Sequence, residues 1–315
     1  MLLLDQCNLR CKHCYVGDQK FTPRQMPTLD TVKDWVDKIE TFSKENQFKS
    51  TSLHLSGGEP FARLDIFEIL DYCKSKNIST FILSNGTLFT KETADKLMSR
   101  GIKNIQFSIE GPEEINDNIR GKGVYQKVMN AIKIAKEQGM GVTVSITLSK
   151  NNISIIKDFI KELDHLNLMF HIRELMPIGD GAHMNIITPN QRKDFFEFSR
   201  DYSGKSIVKP EDPIQCSIKD GKVRKGGCVA MRNHFCIDVD GSIFPCGLLR
   251  ENIGNINNLQ KVYNSEMSRK LRNRELEGKC GECDMSDSCG GCRAYAFYES
   301  KSMLAEDNRC LLETM

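Results

Sequence analysis

The chain has 315 residues, 39% of them hydrophobic, with 44 Lys and Arg against 42 Asp and Glu and a formal net charge of +2. That length suits one large core with a smaller appendage, and the balanced charge excludes the strongly basic footprint of a nucleic-acid binder. No stretch approaches the roughly 18 to 20 uninterrupted apolar residues that span a bilayer, and Met1-Leu2-Leu3-Leu4 meets Asp5 too early for a signal peptide, so a cytoplasmic protein without a membrane partner is expected.

From residue 1 to about 175, short β-branched or apolar runs alternate with segments of helical period, the pattern of a parallel βα repeat. The strand candidates are Leu2–Leu4, Ser52–Leu55, Thr80–Leu83, Asn104–Ile109, Val142–Leu148 and Met169–Leu175. Between them Leu29, Val32, Val36, Ile39 and Phe42 share one helical face, as do Ile66, Ile69, Leu70 and Cys73, and then Val124, Val128, Ala131, Ile132 and Ala135, closed by Gly139. Cys73, on such a face, reads as a small core residue. Six units are too few for a closed eight-strand barrel but suffice for a partial (β/α)6 TIM-like barrel, whose site lies at the carboxyl ends of the strands. After Pro177 the repeat gives way to a turn-rich stretch with Gly179 and Gly181 and one helix near 191–202. From Cys228 onward cysteine and glycine become dense and long apolar runs vanish, so this part needs an inorganic staple. The fold class expected is α/β, with boundaries of 1–176 for the partial barrel, 177–227 for a bridging segment and 228–315 for a small cysteine-rich C-terminal domain.

Thirteen cysteines in a chain of this size and compartment read as metal ligands rather than a disulfide framework. Cys7, Cys11 and Cys14 sit in a loop directly after the first strand, close enough to converge on one centre. A structural zinc site takes four ligands, with His13 as the candidate fourth, whereas three thiolates on a four-iron cluster leave one iron open.

The run Cys7-Asn8-Leu9-Arg10-Cys11-Lys12-His13-Cys14-Tyr15 resembles the signature of the radical AdoMet superfamily. That resemblance implies a 4Fe-4S cluster whose open iron chelates S-adenosylmethionine, reductive cleavage to a 5'-deoxyadenosyl radical, and hydrogen abstraction from a substrate. Ser56-Gly57-Gly58-Glu59-Pro60 follows the second strand as the family's glycine-rich motif does. It implies that Gly57 and Gly58 let backbone approach the methionyl amine while Glu59 pairs with it. Ser84-Asn85 and Ser108-Ile109-Glu110 close the third and fourth strands and resemble segments binding the ribose and methionine portions, although polar residues there also serve as helix caps; many relatives carry Asp where Glu110 stands. Tyr15 completes the implied AdoMet contacts. Arg120, in Asp117-Asn118-Ile119-Arg120-Gly121, is the candidate for the AdoMet carboxylate or, alternatively, for a surface salt bridge.

Downstream, Cys228-x12-Gly241-x4-Cys246 is followed by Cys280-x2-Cys283-x5-Cys289-x2-Cys292 and Cys310. Two Cys-x2-Cys pairs alone would suit a zinc ribbon. In this company they resemble the SPASM domain, which carries two auxiliary 4Fe-4S clusters, although many members have x3 where this chain has x2 before Cys292. By that analogy Cys280, Cys283, Cys289 and Cys310 hold an outer cluster, and Cys228, Cys246 and Cys292 an inner one. Cys216 is the candidate fourth inner ligand and Cys236 the rival, although Cys236 stands in a strand-like run; without either, the inner cluster keeps an open iron.

SPASM proteins mostly modify ribosomally made peptides. Gly247 after Cys246 replaces the catalytic aspartate typical of anaerobic sulfatase maturases, which argues against that subtype. The expected function is oxidative modification or crosslinking of a precursor peptide with three 4Fe-4S clusters and S-adenosylmethionine. The expected partners are that peptide, a flavodoxin- or ferredoxin-type reductant and a separate leader-recognition protein, since the chain starts almost at its first strand. The runner-up is a haem or haem d1 biosynthetic enzyme, with Arg173, Arg232 and Arg250 as candidates for tetrapyrrole propionates; a noncatalytic iron-sulfur electron carrier is the third reading. No protein residue acting on the substrate is assigned.

Overall fold

The βα alternation folds as its periodicity predicts. In the structure, a computed structural model describing residues 1–17, 24–219, 222–224 and 226–311, the first compact unit comprises 1–187 with 201–209, and the second 188–200 with 210–315. The stretch 177–227 is thus divided between the two units.

Among the described residues of the first unit, β1 (Ser52–Leu55), β2 (Ser79–Ser84), β3 (Asn104–Ser108), β4 (Gly141–Leu148), β5 (Met169–Glu174) and β6 (Ile207–Pro210) form one sheet in sequential order. The pairs from β1 to β5 are parallel. Helix α1 (Leu29–Glu45) precedes β1, and α2 (Ile66–Ser75), α3 (Lys91–Ser99), α4 (Glu113–Arg120), α5 (Val124–Glu137) and α6 (Ile156–Glu162) fill the connections from β1 to β5, as a partial TIM-like barrel requires. The apolar faces are those the period marks: Val32, Trp35, Val36, Ile39 and Phe42 on α1, Ile66, Ile69, Leu70 and Cys73 on α2, and Val124, Val128, Ala131, Ile132 and Ala135 on α5 are buried. Cys73 is accordingly a core residue.

Leu2–Leu4 departs from expectation, making a single parallel bridge, Leu2 with Ser56, instead of a strand. Ser56 N donates to Met1 O (3.0 Å) and Leu3 N to Ser56 O (2.8 Å), but Gly57 and Gly58 then press against Leu4–Gln6, and the hydrogen bonds that follow join a turn to the chain instead of extending a strand ladder. The sixth strand is β6, whose apolar run of two residues in a turn-rich stretch gave no periodic signal. Side chains alternate across the sheet. On β4, Val142, Val144, Ile146 and Leu148 are buried, and α5 packs on β3 and β4. Thr143, Ser145 and Thr147 alternate with them, in register with Gln106 and Ser108 on one side and His171 and Arg173 on the other. That second face is polar.

In the second unit, α7 (Pro189–Asp201) fulfils the helix expected at 191–202. It is followed by α8 (Pro213–Ser217), the short antiparallel pair β7 (Ile218–Lys219) and β8 (Lys222–Val223), and an antiparallel sheet of β9 (Cys236–Ile237), β10 (Ser242–Phe244) and β11 (Gly254–Asn255). The remainder is α9 (Leu259–Asn264), α10 (Glu266–Asn273), α11 (Gly278–Glu282) and α12 (Arg293–Ser300), joined by the cysteine loops. No helix among the described residues is long and apolar enough to cross a membrane.

Candidate functional site

Cys7, Cys11 and Cys14 occupy the loop that leaves the edge of β1. Lys12 N donates to Ile119 O (2.9 Å) and Lys12 Nζ to Asn118 Oδ1 (2.7 Å), which seats the loop on the end of α4. Asp180 N donates to Cys14 O (2.9 Å), and a Cβ at Gly179 would lie 2.5 Å from Cys14 O and 2.7 Å from Tyr15 O. The Gly179 turn, which in the sequence marked only the end of the repeat, is therefore a support for the third cysteine and Tyr15.

The three thiols are electrostatic neighbours. Burial pushes Cys11 up to about 11 against the pull of Arg120, with Cys7 and Cys14 adding to the rise. Burial likewise raises Cys7, opposed by the Leu9 amide and adding to the influence of Glu59. Donors aim at the sulfurs: Leu9 N (3.4 Å) and Asn85 Nδ2 (3.7 Å) at Cys7, and Arg120 Nη1 (4.0 Å) at Cys11. Three neighbouring thiols, two of them with N–H donors directed at the sulfur, fit ligation of an iron-sulfur cluster, whose iron would supply the positive charge that the buried sulfurs lack. His13 turns Nε2 to Glu110 (2.9 Å).

The glycine-rich motif lies against this loop. A Cβ at Gly57 (φ +141°) would lie 2.3 Å from Leu4 O, and one at Gly58 would lie 1.8 Å from Gln6 O. These glycines let the chain after β1 press on the backbone entering the cysteine loop. Glu59 is wholly buried and accepts from Ser84 Oγ (2.8 Å), Asn85 N (2.7 Å) and Phe61 N (3.1 Å). Burial raises its carboxyl, and these donors oppose the rise. Asn85 reaches from the end of β2 to Asn8 Oδ1 (2.9 Å). Glu59, Ser84 and Asn85 thus form one network beside Cys7, while Ser108 is half-buried at the end of β3 on its polar face.

Glu110 and Arg120 belong together. Glu110 is fully buried; it accepts from Arg120 Nε (3.0 Å) and Nη2, His13 Nε2 (2.9 Å) and Thr147 N (2.7 Å). Burial alone would raise its carboxyl, but Arg120 and then His13 outweigh it and hold it below the usual carboxylate range. Arg120 therefore makes a buried ion pair with Glu110 rather than a surface salt bridge. Asn152, which carried no motif, is buried beneath and donates to Glu110 O (2.9 Å) and Thr147 O (3.0 Å). Asp117 accepts from Gly123 N and from Tyr125 N (2.8 Å), so the acid of this segment holds the start of α5.

In the second unit Cys280, Cys283, Cys289 and Cys310 line one cavity of about 200 Å³, together with Arg192, Asp212, Asp307 and Arg309. Burial lifts Cys289 to about 12, with Asp212, Cys280 and Cys310 adding to it after the opposing Gly291 amide. Asp307 N and Arg293 Nη2 approach Cys280 Sγ (3.4 and 3.6 Å), Met285 N approaches Cys283 Sγ (3.4 Å) and Gly291 N approaches Cys289 Sγ (3.4 Å). A second group forms around Cys246, raised first by burial and then by Cys228 and Cys292; its sulfur accepts from Leu249 N (3.3 Å). Both sets fit cluster ligation by the same criterion of convergent thiols with N–H donors. Cys216 sits on α8, with Sγ 3.5 Å from Pro210 O. Cys236 is buried in β9, paired with Phe244.

A profile of the radical SAM superfamily matches residues 1–163, and one of the SPASM iron-sulfur cluster-binding domain matches 228–284. The chain belongs to the radical SAM superfamily and is an enzyme of that class. Its C-terminal part is a SPASM domain. It is 29% identical to the AdoMet-dependent heme synthase of Methanosarcina barkeri, over 97% of this chain and 93% of that protein. It is 26% identical to the mycofactocin maturase MftC of Mycolicibacterium smegmatis, over 97% and 80% respectively. In fold it is similar to SuiB of Streptococcus suis bound to precursor peptide SuiA, with a TM-score of 0.76 and 18% identity over 98% of this chain and 74% of that one.

Proposed function

We propose that this protein cleaves S-adenosylmethionine reductively and uses the radical to oxidise or crosslink a ribosomally made precursor peptide, with three 4Fe-4S clusters. The observation that carries the radical chemistry is the joining of Cys7, Asn85 and Glu59 into one network beside the three thiols. Cys7, Cys11 and Cys14 would hold the first cluster, which with bound AdoMet supplies the 5'-deoxyadenosyl radical. Gly57, Gly58, Glu59, Ser84, Asn85, Ser108, Glu110, Arg120 and Tyr15 surround that site or support it. In this reading Glu59 faces the methionyl amine, and Arg120, neutralised by Glu110, holds the loop of Cys11 in place.

Cys280, Cys283, Cys289 and Cys310 would hold the outer auxiliary cluster, and Cys228, Cys246 and Cys292 the inner one, with Cys216 as fourth ligand. These sites would take up the electron left when the substrate is oxidised, and a flavodoxin- or ferredoxin-type protein would feed the first. A separate protein would recognise the leader of the precursor peptide. The peptide reading is supported by the maturase name of MftC and the peptide-bound SuiB, and by the fate of two arginines offered for propionates. Arg232 pairs with Asp287 (2.9 Å) and Arg250 with Asp238 (2.6 Å), so both are already neutralised within the chain. A second reading, modification of a tetrapyrrole side chain, is favoured by the nearly full-length match to the heme synthase.

The test is anaerobic reconstitution with iron and sulfide, addition of AdoMet and dithionite, and assay for 5'-deoxyadenosine. The wild-type chain forms it; replacement of Cys7, Cys11 and Cys14 together by Ala abolishes it and leaves auxiliary iron bound. No product from a fully loaded wild-type chain would sink the assignment. Incubation with candidate precursor peptides and with iron coproporphyrin, read by mass spectrometry, separates the two substrate readings. Cys216→Ala is expected to alter the spectrum of the inner cluster, and an unaltered spectrum would remove Cys216 as ligand.

A further inference from the structure

Two buried arginines in the second unit lack the partners that buried cations require. Arg293, the first residue of α12 and directly after Cys292, is completely inaccessible to solvent. Its guanidinium donates to the carbonyls of Met303 (3.2 Å), Ala305 and Gly291 (3.5 Å) and, through Nη2, to Cys280 Sγ (3.6 Å). Arg274, 6% exposed, donates Nη2 to Cys228 O, while its Nε and Nη1 are buried without a hydrogen-bond partner. Among the described residues neither guanidinium forms an ion pair with a carboxylate, and Asp307 of the same region is bound by Arg309 (3.1 Å). A buried cation persists only with a counter-charge. What these cations meet belongs to the cysteine loops: Cys280 Sγ lies against Arg293, and the backbone of Cys228, an inner-cluster ligand in the reading above, holds Arg274.

The double glycine between Cys289 and Cys292 explains how both cations come so close. A Cβ at Gly290 (φ +69°) would lie 2.5 to 2.7 Å from the Arg274 guanidinium. A Cβ at Gly291 (φ +53°) would lie 2.7 Å from Arg293 Nη2 and 2.9 Å from Cys280 Sγ. Each glycine clears the way for one arginine. Each arginine also touches both cysteine loops: Arg274 meets Cys228 and the Gly290 backbone, and Arg293 meets Cys280 while following Cys292 in the chain.

We infer that Arg274 and Arg293 are the counter-charges of the two auxiliary clusters, a buried cationic pair between the cysteine loops that raises their reduction potentials and fits them to accept electrons. This rests on the auxiliary-cluster reading above. A cluster with its thiolates gains negative charge on reduction, and a fixed cation in a poorly solvated site favours that state. Arg293 acts chiefly on the outer cluster through Cys280, and Arg274 on the inner one through Cys228.

The experiment uses the full chain carrying Cys7, Cys11 and Cys14→Ala, so that only auxiliary clusters are observed, with iron counted and potentials taken by EPR-monitored titration. Arg293→Met is expected to shift the outer cluster to more negative potential and Arg293→Lys to return most of the shift; Arg274→Met and Arg274→Lys do the same for the inner cluster. Unmoved potentials in both Met variants at wild-type iron content would overturn the inference while leaving the clusters in place. If the Met variants lose iron, retention of iron by the Lys variants supports the charge role, and loss in both overturns it in favour of packing. No iron in the Cys→Ala background would instead refute the cluster reading and the inference with it.

Discussion

Arg120 shows how much a single side chain can owe to residues far away in sequence. Its guanidinium lies between a carboxylate that is never wetted, Glu110, and the sulfur of Cys11, and His13 shares the same carboxylate oxygen. Removing one partner of such a pair strands the other charge, whereas removing both leaves an apolar gap. Arg120→Met is therefore expected to destabilise the first unit by about 3–5 kcal/mol, measured by urea unfolding, and Arg120→Met with Glu110→Met is expected to recover much of the loss. A single variant as stable as wild type would show that the pair contributes little. The sequence singled out both residues but did not join them to each other, because their ten-residue separation crosses the turn from β3 into α4.

At the scale of elements, the run after β1 carries more architecture than its motif suggests. Gly58 N donates to Leu4 O (2.7 Å) and Glu59 N to Gln6 O (3.1 Å), so this turn holds the strand-like start of the chain and releases it into the cysteine loop. Glu59 then ties the turn to the end of β2. Gly58→Ala would place a methyl 1.8 Å from Gln6 O, a contact that backbone must move to relieve. The expected outcome is loss of iron from the first site with auxiliary iron retained, read by iron analysis and EPR; an unchanged first cluster would show that the loop tolerates the shift. The helices α1, α2 and α5 were legible because their amphipathic faces repeat locally. Leu2–Leu4 was not, because whether an apolar run becomes a strand or a single bridge depends on how long its neighbour stays alongside.

On the scale of the whole molecule the two units differ in what holds them. The first has the buried strands and helix faces of a βα core. In the second, Cys289 is itself a member of the small apolar cluster of Phe196, Ile214 and Leu311, and the cavity lined by four cysteines lies beside it. Metal binding is then also folding free energy. Stripping iron with a chelator under reducing anaerobic conditions is expected to raise amide hydrogen exchange through 280–311 far more than in β3, β4 and α5, as followed by mass spectrometry. Equal protection with and without iron would mean that this part folds on apolar contacts alone.

Elements of short range were legible from the residues alone, the βα repeat through α5 and the close spacing of Cys7, Cys11 and Cys14, since these rest on spacings within one loop or helix; the grouping of the later cysteines rested on resemblance, because Cys228, Cys246 and Cys292 stand in separate loops. Which buried polar groups meet was settled by folding alone. His13 and Glu110 lie 97 residues apart, Asn85 and Cys7 78 apart, and Arg274 and Cys228 46 apart. Local spacing carries no record of such pairs, because burial makes them obligatory only after the chain has folded around them.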